Sequence, residues 1–130
     1  MIKIKIEKDM GVIAKAVIID IEKRVLLLKR SKYSKKFAGE MDLPGGHMKE
    51  NEPLTEALER EVKEETGLDI LYPAFFKNIG NIHFFHAKYD SQPIKLSREH
   101  TDYGFYSKDE LDKTKKFERI AIEILEMLDQ

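Results

Sequence analysis

The chain predicts a layered α/β fold. Three observations carry that expectation. Apolar runs at residues 12–20 (VIAKAVIID), 25–30 (VLLLKR) and 82–89 read as strands. A helical pattern, with Leu54, Leu58 and Val62 four apart, interrupts them. A second amphipathic pattern at residues 117–128 follows the last of the strands. Strands with one internal and one later helix imply packed layers around an apolar core.

The elements follow in order. Residues 2–6 alternate Ile and Lys, which predicts a half-exposed edge strand that could pair with a second copy. Residues 9–11 read as a turn. Residues 12–20 are almost wholly apolar and predict a strand buried on both faces. Residues 21–24 are a hairpin link to the strand 25–30. Residues 31–41 are polar and irregular, with Lys32, Lys35 and Lys36 among Tyr33 and Phe37. They form a solvated loop, or a substrate lip where lysines meet phosphate and a ring stacks on a base. Residues 41–43 make a short strand into a Pro44-Gly45-Gly46 turn, where two glycines let the backbone approach a ligand closely.

The internal helix has Pro53 in its first turn, Asn51 or Glu52 as its cap, and Gly67 as its stop. Aromatic-rich residues 69–79 and 82–89 predict two strands joined around residues 78–81. His83 and His86 fall on opposite faces of the second, which makes them poor joint metal ligands. One of His83 or Phe85 is placed to line a base pocket. Residues 101–106 predict a further strand behind Arg98-Glu99-His100. The final helix turns Phe117, Ile120, Ala121, Ile124, Leu125 and Leu128 inward.

Composition narrows the function. At 130 residues the expectation is one domain, 1–130, with a real core. A net charge of −1 gives no global attraction to nucleic acid or to a membrane surface. No apolar run approaches the roughly 18 residues of a membrane span. Cysteine is absent, which removes disulfides and thiolate chemistry and fits the cytoplasm.

The chemistry concentrates at residues 46–68, GHMKENEPLTEALEREVKEETGL. Glu61, Glu64 and Glu65 stand at i, i+3 and i+4, so they share one helix face, bordering the apolar stripe. Like charges so placed repel, and partial burial raises the cost unless a cation sits among them. Arg60 and Lys63 project to other sides by helical position. A hard divalent cation such as Mg²⁺ answers the need: oxygen ligands, few protein carboxylates, the rest water and phosphate. The alternative is a solvated Glu-rich face, common on surfaces.

The spacing decides between them. Gly46, Glu52, Arg60-Glu61, Glu64-Glu65 and Gly67 stand at fixed intervals, with aliphatics at Val62 and Leu68. This stretch resembles the Nudix box, the signature of Nudix hydrolases, at every position. The resemblance implies a Nudix fold, a mixed β-sheet sandwiched between α-helices. It implies divalent-dependent cleavage of a nucleoside diphosphate linked to a further group, by water attack on phosphorus. Carried over by position, Glu61, Glu64, Glu65 and the Gly45 carbonyl hold Mg²⁺, with Mn²⁺ as a substitute. Arg60 and Glu52 pair to orient those glutamates. Glu61 or Glu99 is the general base, with Asp102 the substitute for Glu99 as the late carboxylate. Arg30, Gly46 and Phe85 are the expected substrate contacts. Phe105 stands where the family often has tryptophan.

A (deoxy)nucleoside triphosphate is the leading substrate. ADP-ribose, a nucleotide sugar and a dinucleoside polyphosphate are the alternatives. The proline and tyrosine that ADP-ribose and dinucleotide relatives often carry beyond the box are missing around Phe85 and His86. A non-catalytic nucleotide-sensing module usually has a damaged box, and this one is intact. No nucleic-acid or membrane partner is expected, and the oligomer is a monomer or homodimer.

Overall fold

In the computed structural model, residues 9–33 and 37–130 are described. The expected edge strand at residues 2–6, and Lys35 and Lys36 of the proposed lip, lie outside them. Strand β1, Asp9–Ile19, is the seam of the fold. On one side it runs parallel to β6, Ile82–Lys88, in register from Ile13↔Ile82 to Ile19↔Lys88. On the other side it runs antiparallel to β4, Gly45–Lys49, and meets β2, Val25–Arg30, at Ile19↔Val25. Residues 9–11 are not the expected free turn. They begin β1, and Gly11, at φ 71°, sits where the β1–β4 register shifts between Asp9 and Ile13.

The remaining strands extend this seam. β2 carries β3, Met41–Asp42, and β7, His100–Tyr106, on its two edges. β6 carries β5, Ala74–Ile79. The resulting mixed sheet reads β3-β2-β1-β6-β5, with β4 on β1 and β7 on β2. β5 is shorter than the sequence suggests. Pro73 has no N–H to give a ladder, and Tyr72 sits at φ 48°, so residues 69–73 leave the sheet. Asp20 closes the β1–β2 link by accepting the backbone N–H groups of Glu22 and Arg24.

Alternation along the central strands builds two cores. Ala14, Ala16, Ile18, Leu26, Leu28 and Phe85 face helix α1, Leu54–Thr66, which buries Leu58 and Val62 against them. Val17, Val25, Leu27 and Phe84 face helix α2, Lys116–Leu128, which buries Ile120, Ala121, Ile124 and Leu125. Each Val, Leu, Ile or Phe among them contributes about 1.5–3 kcal/mol of burial, so both helices are fixed by the period of the strands beneath them. The mixed sheet between helices is the architecture the sequence predicts. Leu128, expected to face inward, is instead 48% exposed at the end of α2.

Helix α1 begins one residue later than expected. Pro53 occupies the cap position, and no side chain caps the helix. Neither Asn51 nor Glu52 does so, because Glu52 accepts the Lys49 N–H and faces Arg60 instead. Gly67 ends the helix at φ 78°, its N–H on the Lys63 carbonyl.

Candidate functional site

The site starts from the two glycines after Pro44. Gly45 pairs with Lys15 and Gly46 with Ala14, and the Ala16 N–H donates to the Pro44 carbonyl at 2.8 Å. Gly45 is at φ 136°, and a methyl there would run into the Ala14 carbonyl. A methyl on Gly46 would run into the Glu61 carboxylate. Both positions therefore need glycine, one for the backbone of β1 and one for the acid of α1. The Gly45 N–H donates to Glu65 Oε1 at 2.9 Å, tying the turn to the helix.

The three helical glutamates occupy different environments. Glu65 is 4% exposed, Glu61 is half-buried, and the Glu64 side chain is 55% exposed. Burial pushes the Glu65 carboxyl up to about 8, against the pull of the Lys15 charge and the Gly45 N–H. Its negative charge is thus undercompensated by the protein. A cation held by the hard oxygens of Glu61, Glu65 and the Gly45 carbonyl suits that deficit. The Gly45 carbonyl already accepts the Lys15 ammonium at 3.2 Å, and a carbonyl has two lone pairs.

Arg60 behaves differently from its helical position. Its side chain curls back over the acidic face rather than projecting away. Nε and Nη2 donate to Glu52 at 2.7 and 3.1 Å, and Nη1 donates to Glu61 at 2.8 Å and to Glu64 at 3.3 Å. Nη2 also reaches the His47 carbonyl at 3.0 Å. The Arg60 hydrogen bond lowers the Glu52 carboxyl below its ordinary range, and the same bond raises the guanidinium further. One planar cation thereby gathers three carboxylates, a task suited to arginine's fork of donors.

Behind the glycines lies a buried charged network. Lys15 Nζ donates to Asp42 Oδ1 at 3.0 Å, and to the Leu43 and Gly45 carbonyls at 3.0 and 3.2 Å. Asp42 Oδ2 accepts Arg30 Nη1 at 3.1 Å and lies 3.0 Å from His100 Nε2. Burial alone would raise the Asp42 carboxyl. The His100 hydrogen bond and the Lys15 ammonium outweigh it and hold the group down at about 2. The other ring nitrogen, His100 Nδ1, is buried without a hydrogen-bond partner among the described residues and sits 3.7 Å from Glu65 Oε2. Such an unpaired buried group ordinarily costs about 1–3 kcal/mol. Asp42, Glu65 and His100 bring ligand-type atoms within 4.8 Å of one another. Lys15 and Arg30 already neutralise Asp42, so a metal is better served on the Glu61 side of Glu65.

These groups open on a cleft of about 780 Å³. Gly45, Gly46, Glu61 and Glu65 line it, and so do Arg30 and Glu99. Of the sequence-expected residues, Glu64, Arg60 and Glu52 stand outside the lining. Phe85 is corrected: it is 3% exposed, packed in the core beneath α1 with its ring centroid 5.5 Å from Phe75. His83, next to Phe75 on the same face, is also outside the lining. Asp102 is exposed on β7 opposite Lys29, its carboxylate on the Tyr103 N–H.

Sequence reading missed Lys15, Asp42 and the first turn of α2. Phe117 lines the cleft from that turn, with Lys15 Nζ 5.7 Å from its ring centre. A signal for Lys15 existed. A lone lysine in an apolar strand buried on both faces must find a buried partner.

Comparison with known proteins follows the same lines. The family model of the NUDIX domain matches residues 10–128. An 8-oxo-dGTP diphosphatase of Buchnera aphidicola subsp. Schizaphis graminum (strain Sg) is 38% identical over 78 residues, 60% of this chain and 54% of that protein. The 8-oxo-dGDP phosphatase NUDT18 of Homo sapiens is 37% identical over 65 residues, 50% of this chain and 20% of that protein. The match thus spans about half of the first relative and a fifth of the second. Among solved structures, a MutT protein from Methanosarcina mazei Go1 superposes with a TM-score of 0.72 at 28% identity, covering 92% of this chain and 94% of that one. A MutT NUDIX hydrolase from Burkholderia pseudomallei superposes at 0.71 and 27% identity, covering 86% and 95%.

Proposed function

The chain belongs to the Nudix family, and from that premise we propose that it hydrolyses the pyrophosphate linkage of a (deoxy)nucleoside triphosphate with the aid of a divalent cation. The observation that carries this reading is the meeting of Glu61 and Glu65 with Gly45 and Gly46 along one side of the cleft. A volume of about 780 Å³ is within the range of small-molecule sites. The names of the two curated relatives make oxidised purine deoxynucleotides the first substrates to try. ADP-ribose, nucleotide sugars and dinucleoside polyphosphates are the alternatives. The setting taken is a cytoplasmic monomer or homodimer.

Glu61, Glu64, Glu65 and the Gly45 carbonyl would hold Mg²⁺, or Mn²⁺ in its place. When bound, such an ion supplies charge neutralisation at phosphate oxygens and acidifies a bound water. The chain's own groups do the rest. Arg60, anchored on Glu52, keeps Glu61 and Glu64 turned together. Arg30, steadied by Asp42, offers a guanidinium to the nucleotide's phosphates. Glu61 and Glu99 both line the cleft, and one of them takes the proton of the attacking water. Phe117 gives an apolar surface on which a base can rest.

The test is purified protein with Mg²⁺ and a panel of nucleotides that includes 8-oxo-dGTP, the ordinary dNTPs, ADP-ribose and dinucleoside polyphosphates. Release of pyrophosphate and a nucleoside monophosphate from a triphosphate is expected. No product from any member of the panel would overturn the reading.

A further inference from the structure

The imidazole behind Glu65 has a position that the hydrolytic scheme above does not use. His100 is wholly buried, so it cannot touch substrate. It comes from β7, while Glu65 comes from α1 and Asp42 from β3, so no local sequence rule brings the three together. Its Nε2 is fixed on Asp42 Oδ2 at 3.0 Å. Asp42 is itself immobilised by Lys15 and Arg30. The far side of the ring presents the unpaired Nδ1 towards Glu65 Oε2. Glu65 meets the Gly45 N–H through its other oxygen, Oε1.

We infer that the Asp42–His100 pair is a positioning device for Glu65, setting the direction in which that carboxylate faces the divalent cation. The inference rests on the reading of Glu65 as a metal ligand. A carboxylate at the end of a long side chain has several orientations. The Gly45 N–H bond fixes Oε1, and the ring standing 3.7 Å behind Oε2 limits the orientations left to the other oxygen. Groups that orient a ligand from behind in this way typically change metal affinity by about 10–100-fold when lost. The same Asp42 oxygen also holds Arg30, so the ligand and the phosphate-facing guanidinium share one anchor.

The test compares His100→Phe with His100→Gln. Asp42→Asn is the obvious variant, but it leaves the Lys15 ammonium buried without its charge partner and can simply unfold the chain. Phenylalanine keeps the ring volume and removes both nitrogens. Glutamine keeps an amide able to reach Asp42. Thermal melting in chelator establishes that each variant is folded, and Mn²⁺ affinity is then measured by electron paramagnetic resonance without nucleotide. We expect His100→Phe to bind Mn²⁺ about tenfold more weakly or worse, and His100→Gln to recover part of the loss. At saturating metal, kcat should fall with KM little changed. If His100 served only to fill the core, the apolar Phe would match or exceed Gln in every readout, and that ordering overturns the inference. Wild-type protein that binds no Mn²⁺ overturns the ligand assignment of Glu65 and this inference with it. Normal Mn²⁺ binding by wild type and both variants overturns the positioning role alone.

Discussion

Arg60 Nε donates to Glu52 Oε2 across 2.7 Å, while the same guanidinium holds Glu61 at 2.8 Å. Glu52 precedes α1 and Glu61 lies within it, so this arginine joins the loop to the helix face. Arg60→Lys keeps the charge and loses the fork. Turnover should fall about tenfold or more, as it does when ligand-orienting groups are removed. Glu52→Gln should do the same. The double variant should lose little beyond Arg60→Lys alone, because Glu52 acts on the glutamates through Arg60. Steady-state kinetics on the set of variants checks this.

Glu64 is the most exposed carboxylate of the three and makes only long contacts to Arg60. Its removal should therefore leave stability nearly intact. Glu64→Gln should nonetheless lower turnover by at least ~10²-fold, the scale of losing one well-placed electrostatic group. Thermal melting and activity measured on the same preparation separate the two effects. An unchanged rate would remove Glu64 from the site.

The two glycines should respond differently to alanine. At Gly45 the added methyl meets the Ala14 backbone, and the φ of 136° is itself unfavourable for alanine. Gly45→Ala should cost at least about 2 kcal/mol in chemical denaturation. At Gly46 the methyl meets the end of the Glu61 side chain, which can swing aside. Gly46→Ala should stay folded and lose activity, because the displaced group is a candidate ligand.

The buried carboxyls give the metal-free protein an unusual pH profile. Glu65 titrates near 8 when folded against 4.5 for an ordinary glutamate. Between those values the folded chain keeps a proton that the unfolded chain has released, so stability falls as pH rises through that window. Asp42 titrates near 2 against 3.8, so its contribution is present above 3.8 and is lost as pH falls towards 2. Melting in chelator should show both limbs. Glu65→Gln should flatten the upper one and leave the acid limb in place.

The acidic face of α1 was legible because its carboxylates lie within one helical turn and their spacing survives in the linear chain. The alternation of β1, β2 and β6 was legible for the same reason, and it yields both cores. The Lys15–Asp42 pair was not, since its partners come from strands separated along the chain and leave no periodic mark. Arg60 was misdirected because helical position gives the direction of a Cβ, and a long flexible side chain can fold back from it. Phe85 is not legible in the same way, because aromatic character cannot distinguish a pocket wall from a core. The strand register decides, and it turns Phe85 towards α1.

The pairing of β7 with β2 has a consequence for biosynthesis. The acidic helix leaves the ribosome well before His100 does. Until β7 arrives, one margin of β2 has no partner and Glu65 lacks the ring behind it. A nascent chain halted at that stage has six of the seven strands and a bare β2 edge, a template for pairing with its neighbours. The strand that completes the sheet is thus the one that delivers the histidine.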